Sequence, residues 1–117
     1  MKKADERRTD MTFEELVNTA REKAQGADVS NIGFLATQIN ITGKNPGVFY
    51  VEVKNHHVNV EPYDYHDRNC AITISMTDFT KLLDGKLDSM KAFATGKLKV
   101  EGDLGKAAEF AGLLKKK

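Results

Sequence analysis

The residue types able to do chemistry gather in three places along these 117 residues. His56 and His57 stand side by side, and residues 63–70 read YDYHDRNC, which adds His66, two aspartates and the only cysteine, Cys70. Histidine, carboxylate and thiolate are the ligand types of zinc, and a thiol near a histidine is a candidate nucleophile. The third place is residues 91–110, KAFATGKLKVEGDLGKAAEF, where glycines and lysines alternate with apolar residues as they could in a phosphate-cradling loop.

None of the three meets the demands of its chemistry. A Walker-type loop needs G-x-x-x-x-G-K-[ST], so that successive amides wrap a phosphate and a hydroxyl holds magnesium. Gly102–Lys106 has two residues too few between its glycines, and Ala107 stands where the hydroxyl belongs. The His, Asp and Cys spacings match no zinc pattern. Alternation puts Cys70 on the apolar side of its strand with Ile72 and Ile74, whereas His57 falls on the polar side of another, so a site using both would reach through a sheet. Cys70 reads as a small buried hydrophobe. No catalytic residue, metal ligand or cofactor site is expected.

Composition narrows the field further. Eighteen basic and 17 acidic side chains leave a net charge of +1, without the basic excess expected of a protein that lives on nucleic acid. A lone cysteine allows no internal disulfide and fits a reducing compartment. The opening MKKADERRTD is charged and has no apolar core, so no secretory leader is expected. No apolar run is long enough to span a bilayer. The expected location is cytoplasmic, with residues 1–10 a flexible segment and 11–117 one domain of ordinary size.

The elements that would carry these residues can be read in order. Thr12 and Glu15 form a capping-box pattern, and Phe13, Leu16, Val17, Ala20 and Ala24 make one helical stripe ended by Gly26. The period then shortens to two over residues 32–41, 48–54, 57–62 and 70–76, with Asn55-His56 as a two-residue hairpin turn. Two short helices follow at 78–84 and 89–95, with Thr77 and Asp88 as expected caps. A strand over 97–101 and a last amphipathic helix capped by Asp103 complete the chain. The order α-β-β-β-β-α-α-β-α, with one oily and one polar face per strand, predicts an α+β fold: a mostly antiparallel sheet with helices packed on one face.

Large apolar residues crowd the late helices, and periodicity alone cannot separate a solid core from the wall of an oily cavity. At this point the chain resembles a known family. Asp78-Phe79, Leu82 and Gly85-Lys86-Leu87, followed by Ala92-Phe93, Gly96-Lys97-Leu98 and Gly102, are similar to the linked motifs of the sterol carrier protein 2 domain, the nonspecific lipid-transfer fold. The likeness is strong over residues 69–110; before that, only the order of elements agrees. Asp88-Ser89 stands where an Asn-Pro is often found. The final Lys-Lys-Lys is not a peroxisomal signal.

The resemblance implies a five-stranded sheet backed by helices around a hydrophobic cavity, no chemistry of its own, and a fatty acid, acyl-CoA, sterol or phospholipid chain as ligand. Carried over by position, Phe79, Leu82, Leu83, Met90, Phe93, Leu98, Val100, Phe110, Leu113 and Leu114 become lining or lid residues, the final helix closing the cavity. The alternative is an interaction module that keeps the fold with a filled core. An enclosed void of about 300 Å³ would cost about 7 kcal/mol at about 24 cal/mol per Å³, against a total stability of about 5–15 kcal/mol. The cavity must therefore be small, collapsible or filled. Lys97 and Lys99 share a polar strand face, while Lys115–Lys117 complement a helix dipole. These lysines leave transient membrane contact open and give no support to nucleic acid as a partner.

Overall fold

Thr12 starts the first helix as expected: its hydroxyl accepts the Glu15 N–H at 3.1 Å, and its own N–H donates to Glu15 Oε1 at 2.9 Å. This computed structural model describes residues 12–43 and 45–115. The segment 1–10, Lys116 and Lys117 lie outside the described residues. Helix α1 (Phe13–Gln25) buries Leu16, Val17, Ala20 and Ala24, and Gly26 caps its end. Strands β1 (Phe34–Thr42), β2 (Gly47–Lys54), β3 (His57–Glu61) and β4 (Cys70–Ser75) follow. Then come α2 (Met76–Leu83), α3 (Ser89–Ala94), β5 (Leu98–Gly102) and α4 (Leu104–Lys115).

Five strands form one sheet in the order β3-β2-β1-β4-β5. Only β1 and β4 run parallel; the other three pairs are antiparallel. Asn55 and His56 turn the β2–β3 hairpin with φ of 53° and 65°, the left-handed pair that a two-residue turn requires. The cap of α2 differs from expectation. Ser75, not Thr77, accepts the Asp78 N–H at 3.1 Å, so the helix begins two residues sooner. The Ser75-x-x-Asp78 spacing carries that signal, because only a hydroxyl three residues before a free amide reaches it.

Register places Leu35, Thr37, Ile39 and Ile41 of β1 beside Val53, Val51 and Phe49 of β2 and Cys70, Ile72 and Ile74 of β4 on the helix-covered face. The core is organised by edge-to-face rings: Phe13 meets Phe49 at 6.1 Å, and Phe49 meets Phe79 at 5.7 Å between centroids. Gly47 makes room for this stack, since a Cβ there would lie 2.5 Å from Phe13 Cε1.

The other face is not bare. Ala36, Gln38 and Ala71 are buried on it, where residues 62–69 cross the middle of the sheet. The Tyr65 N–H donates to Gln38 Oε1 at 3.0 Å, its ring meets Tyr50 edge-on at 4.9 Å, and its hydroxyl donates to Glu52 Oε2 at 2.6 Å. At the end of this crossing, Asn69 exchanges two hydrogen bonds with Ala36, through its backbone N–H and its side-chain oxygen. The Asn69 carbonyl accepts the Asp103 N–H at 3.0 Å. On the outer edge, Arg21 donates twice to the Val60 carbonyl and Gln25 donates to that of Val58, so α1 occupies carbonyls that another strand could otherwise pair with.

Two outcomes follow. Replacing Asn69 by Ala strands the buried Ala36 N–H and should lower unfolding free energy by about 1–3 kcal/mol in urea titrations; Asn69→Asp, which keeps the acceptor, should lose less. The hydrogen bond to Glu52, with burial second, pushes the Tyr65 pKa up to about 12. A phenol that titrates higher when folded contributes full stability below its ordinary pKa near 10 and loses it as pH rises from there toward 12. The urea midpoint of the wild type should therefore fall more steeply over that window than that of Tyr65→Phe.

Candidate functional site

Asp88 caps α3 by accepting the N–H groups of Met90 and Lys91. This helix of six residues buries only Ala92. Met90 and Phe93, three residues apart, share another of its faces and project away from the core. Opposite stands α4. Its first turn is fixed by Asp103, whose carboxylate accepts the Lys106 N–H at 3.1 Å. Leu104, Ala107, Ala108 and Ala111 recur along it at helical spacing, and Gly112 follows. Leu98 and Val100 of β5 form the floor between the two helices, on the face that register assigns to Ile72 and Ile74.

These walls enclose a half-open groove of about 440 Å³. Ser89 is its one polar lining residue; the others are hydrocarbon side chains, the Met90 thioether and glycine. Met90 is 75% exposed, Leu104 58% and Phe93 48%. Large apolar side chains this open, lining one concavity, mark a binding surface more than ordinary scatter does.

Of the residues singled out from the sequence, Met90, Phe93, Leu98 and Val100 meet on this groove. Phe79, Leu82, Leu83, Phe110, Leu113 and Leu114 are buried in the core instead. Phe110, Leu113 and Leu114 anchor the inner side of α4, so the helix stands as a wall held from behind. Leu104, Ala107, Ala108 and Ala111 were legible only as part of the apolar stripe of the last helix, and Gly112 not at all. That stripe reads as close packing until the facing helix is seen to stand away from it.

The polar candidates do not converge. Cys70 is buried, with the Thr37 hydroxyl 3.5 Å from its Sγ. Burial pushes its thiol pKa up, against a smaller lowering by Thr37, which keeps it the poorly nucleophilic thiol. His57 belongs to the opposite face of the sheet, His56 to the hairpin turn and His66 to the crossing segment. Among the described residues no three His, Cys, Asp or Glu side chains could hold a metal ion. A second depression of about 420 Å³ involves Phe13, Arg21, Glu61 and Tyr63. Arg21 there is already engaged with Val60 and Asn18.

Comparison with known proteins adds an independent line. Residues 13–115 match the model of the SCP-2 sterol transfer family. A fatty acid-binding protein of Yarrowia lipolytica is 33% identical over 100 residues, covering 82% of this chain and 75% of its own. Human sterol carrier protein 2 is 35% identical over 71 residues, which cover 61% of this chain; the match spans only 13% of the human protein's length. Among solved structures, sterol carrier protein 2 like 2 from Aedes aegypti superposes with a TM-score of 0.69 at 18% identity, over 90% of this chain and 98% of that one. The palmitated form of that mosquito protein gives 0.67 at 19% identity, over 89% and 95%. At such identities the likeness is one of fold.

Proposed function

The chain belongs to the SCP-2 sterol transfer family, and from that premise we propose that the groove between α3, β5 and α4 takes up the hydrocarbon chain of a lipid and carries it through water. The observation that carries this reading is the exposure of Met90, Phe93 and Leu104 around one apolar concavity. The yeast relative's name and the palmitate of the mosquito structure support a fatty acyl chain as the ligand to try first. Acyl-CoA, sterol and phospholipid remain within the same reading, since a hydrocarbon wall offers little to select a headgroup.

Energetics favour an open groove over a closed void. Water can fill an open groove, so the penalty for an empty enclosed cavity does not arise. A sixteen-carbon chain gains about 12 kcal/mol gross at about 0.8 kcal/mol per methylene. Association removes at least about 4 kcal/mol of that, so the affinity is about micromolar at its tightest. With hydrocarbon walls and a single serine, the groove holds its cargo without transforming it. In this reading α4 is the fixed wall, and the shorter α3 is the side through which a chain enters.

The test is direct. The purified protein, extracted with organic solvent, should yield lipid by mass spectrometry, and it should bind a fluorescent fatty acid saturably. No co-purified lipid together with no saturable binding rejects the proposal. Ala111→Phe, with Ala108→Phe as a second variant, should fill the groove and weaken binding at least about tenfold while the melting temperature holds, because neither residue is in the buried core. Phe110→Asp should lower stability as a core lesion, since it buries a charge without a partner.

A further inference from the structure

The corner where α3 meets the start of β5 combines positive charge with exposed apolar side chains. Residues 86–99 contain four lysines, Lys86, Lys91, Lys97 and Lys99, against one acid, Asp88, a net charge of +3. The whole chain is +1, so everything outside this segment is −2. The Asp88 carboxylate is turned inward on the amides of Met90 and Lys91. Lys91 and Lys97 are exposed, and neither has an ion-pair partner among the described residues. The Lys97 N–H donates to the Ala92 carbonyl at 2.9 Å, which draws the start of β5 against α3. Met90, the most exposed large apolar side chain among the described residues, immediately precedes Lys91.

We propose that this corner docks on a bilayer carrying anionic headgroups, with Met90 and Phe93 entering the interface and Lys91 and Lys97 reaching the headgroups. Lysine stems lie along apolar surface while their ammonium groups stay in the polar layer, and basic residues beside buried apolar ones are what peripheral attachment to anionic lipid requires. Lys99 on β5 and Lys97 just before it also guard an edge strand against pairing. That role accounts for neither Lys91 nor the exposure of Met90. A flexible thioether has nothing to read on a nucleic acid, whereas it gains by leaving water for acyl chains. Docking this way would turn the groove toward the membrane, yet it does not require the groove to be a lipid site.

The full chain should co-sediment with phosphatidylcholine vesicles that contain phosphatidylglycerol, and not with pure phosphatidylcholine vesicles, and high salt should release it. Lys91→Glu with Lys97→Glu should lower this binding at least about tenfold, and Met90→Asp should weaken it too. The charge-matched pair Lys23→Glu with Lys54→Glu, on α1 and β2, should keep it. Equal binding to neutral vesicles, no binding at all, retention by the Lys91/Lys97 variant, or equal loss in the control pair would each overturn the proposal. Fluorescent fatty acid binding in solution separates the two readings. The Lys91/Lys97 variant should retain it, and vesicle binding by a wild type that takes no fatty acid would reject the groove while leaving the docking surface standing.

Discussion

Ala36 lies in the middle strand with both of its backbone groups turned toward Asn69. Its N–H donates to Asn69 Oδ1 and its carbonyl accepts the Asn69 N–H, each at 2.8 Å. A buried amide left unpaired is costly, so this double bond fixes where the crossing segment must end and β4 must begin. The next residues, Thr37 and Cys70, are the first partners of the sheet's one parallel pair. The carbonyl of the same Asn69 holds the Asp103 N–H, the cap of α4. One residue thus sets the central register and the position of the groove's wall. Gly102 reflects that closeness. Its φ is +94°, and a Cβ there would lie 2.7 Å from the Asn69 oxygen, so the approach of β5 to this junction needs both a left-handed backbone and no side chain.

From that junction the interior divides into a filled half and an open half. Under α1 and α2, the rings of Phe13, Phe49 and Phe79 interlock edge to face, and Leu82 and Leu83 complete a dense core. Toward β5 the supply of bulk changes. Helix α4 spends its large residues, Phe110, Leu113 and Leu114, on the core and presents alanines and glycine on the other side. Helix α3 is too short to offer more than one buried residue, Ala92. Small residues facing a short, outward-standing helix leave a space that no side chain fills, and the groove is that space.

The two sheet edges are treated differently for related reasons. Beside β3, Arg21 and Gln25 of α1 occupy carbonyls directly. Beside β5 the surface is lysine-rich and opens into the groove, so that edge is kept from pairing by charge rather than by cover. Selective cover also explains why Gln38 and Ala71 are buried on a face whose pattern reads as polar. Residues 62–69 lie across it, and Tyr65 is secured to Gln38, Glu52 and Tyr50.

Element order, the capping box at Thr12, the left-handed hairpin turn and the inward face of nearly every strand are short-range properties, and the sequence by itself determined them. Spacing of a few residues decides which way a side chain points and which amide a hydroxyl can reach. The linked motifs from Asp78 to Gly102 likewise identified the family. The candidate site was only half legible. Met90, Phe93, Leu98 and Val100 could be named from the motifs, but Phe110 and Leu114 were indistinguishable from lining residues, and Ala108 and Ala111 from packing. Which apolar face meets another and which meets open space depends on the separation of α3 from α4. The α4 side of that gap is held by Asn69, which joins Ala36 thirty-three residues away and accepts the Asp103 N–H, and by the large residues behind α4. Tertiary contact alone decided it, because burial belongs to pairs of surfaces and no single stretch of chain contains both.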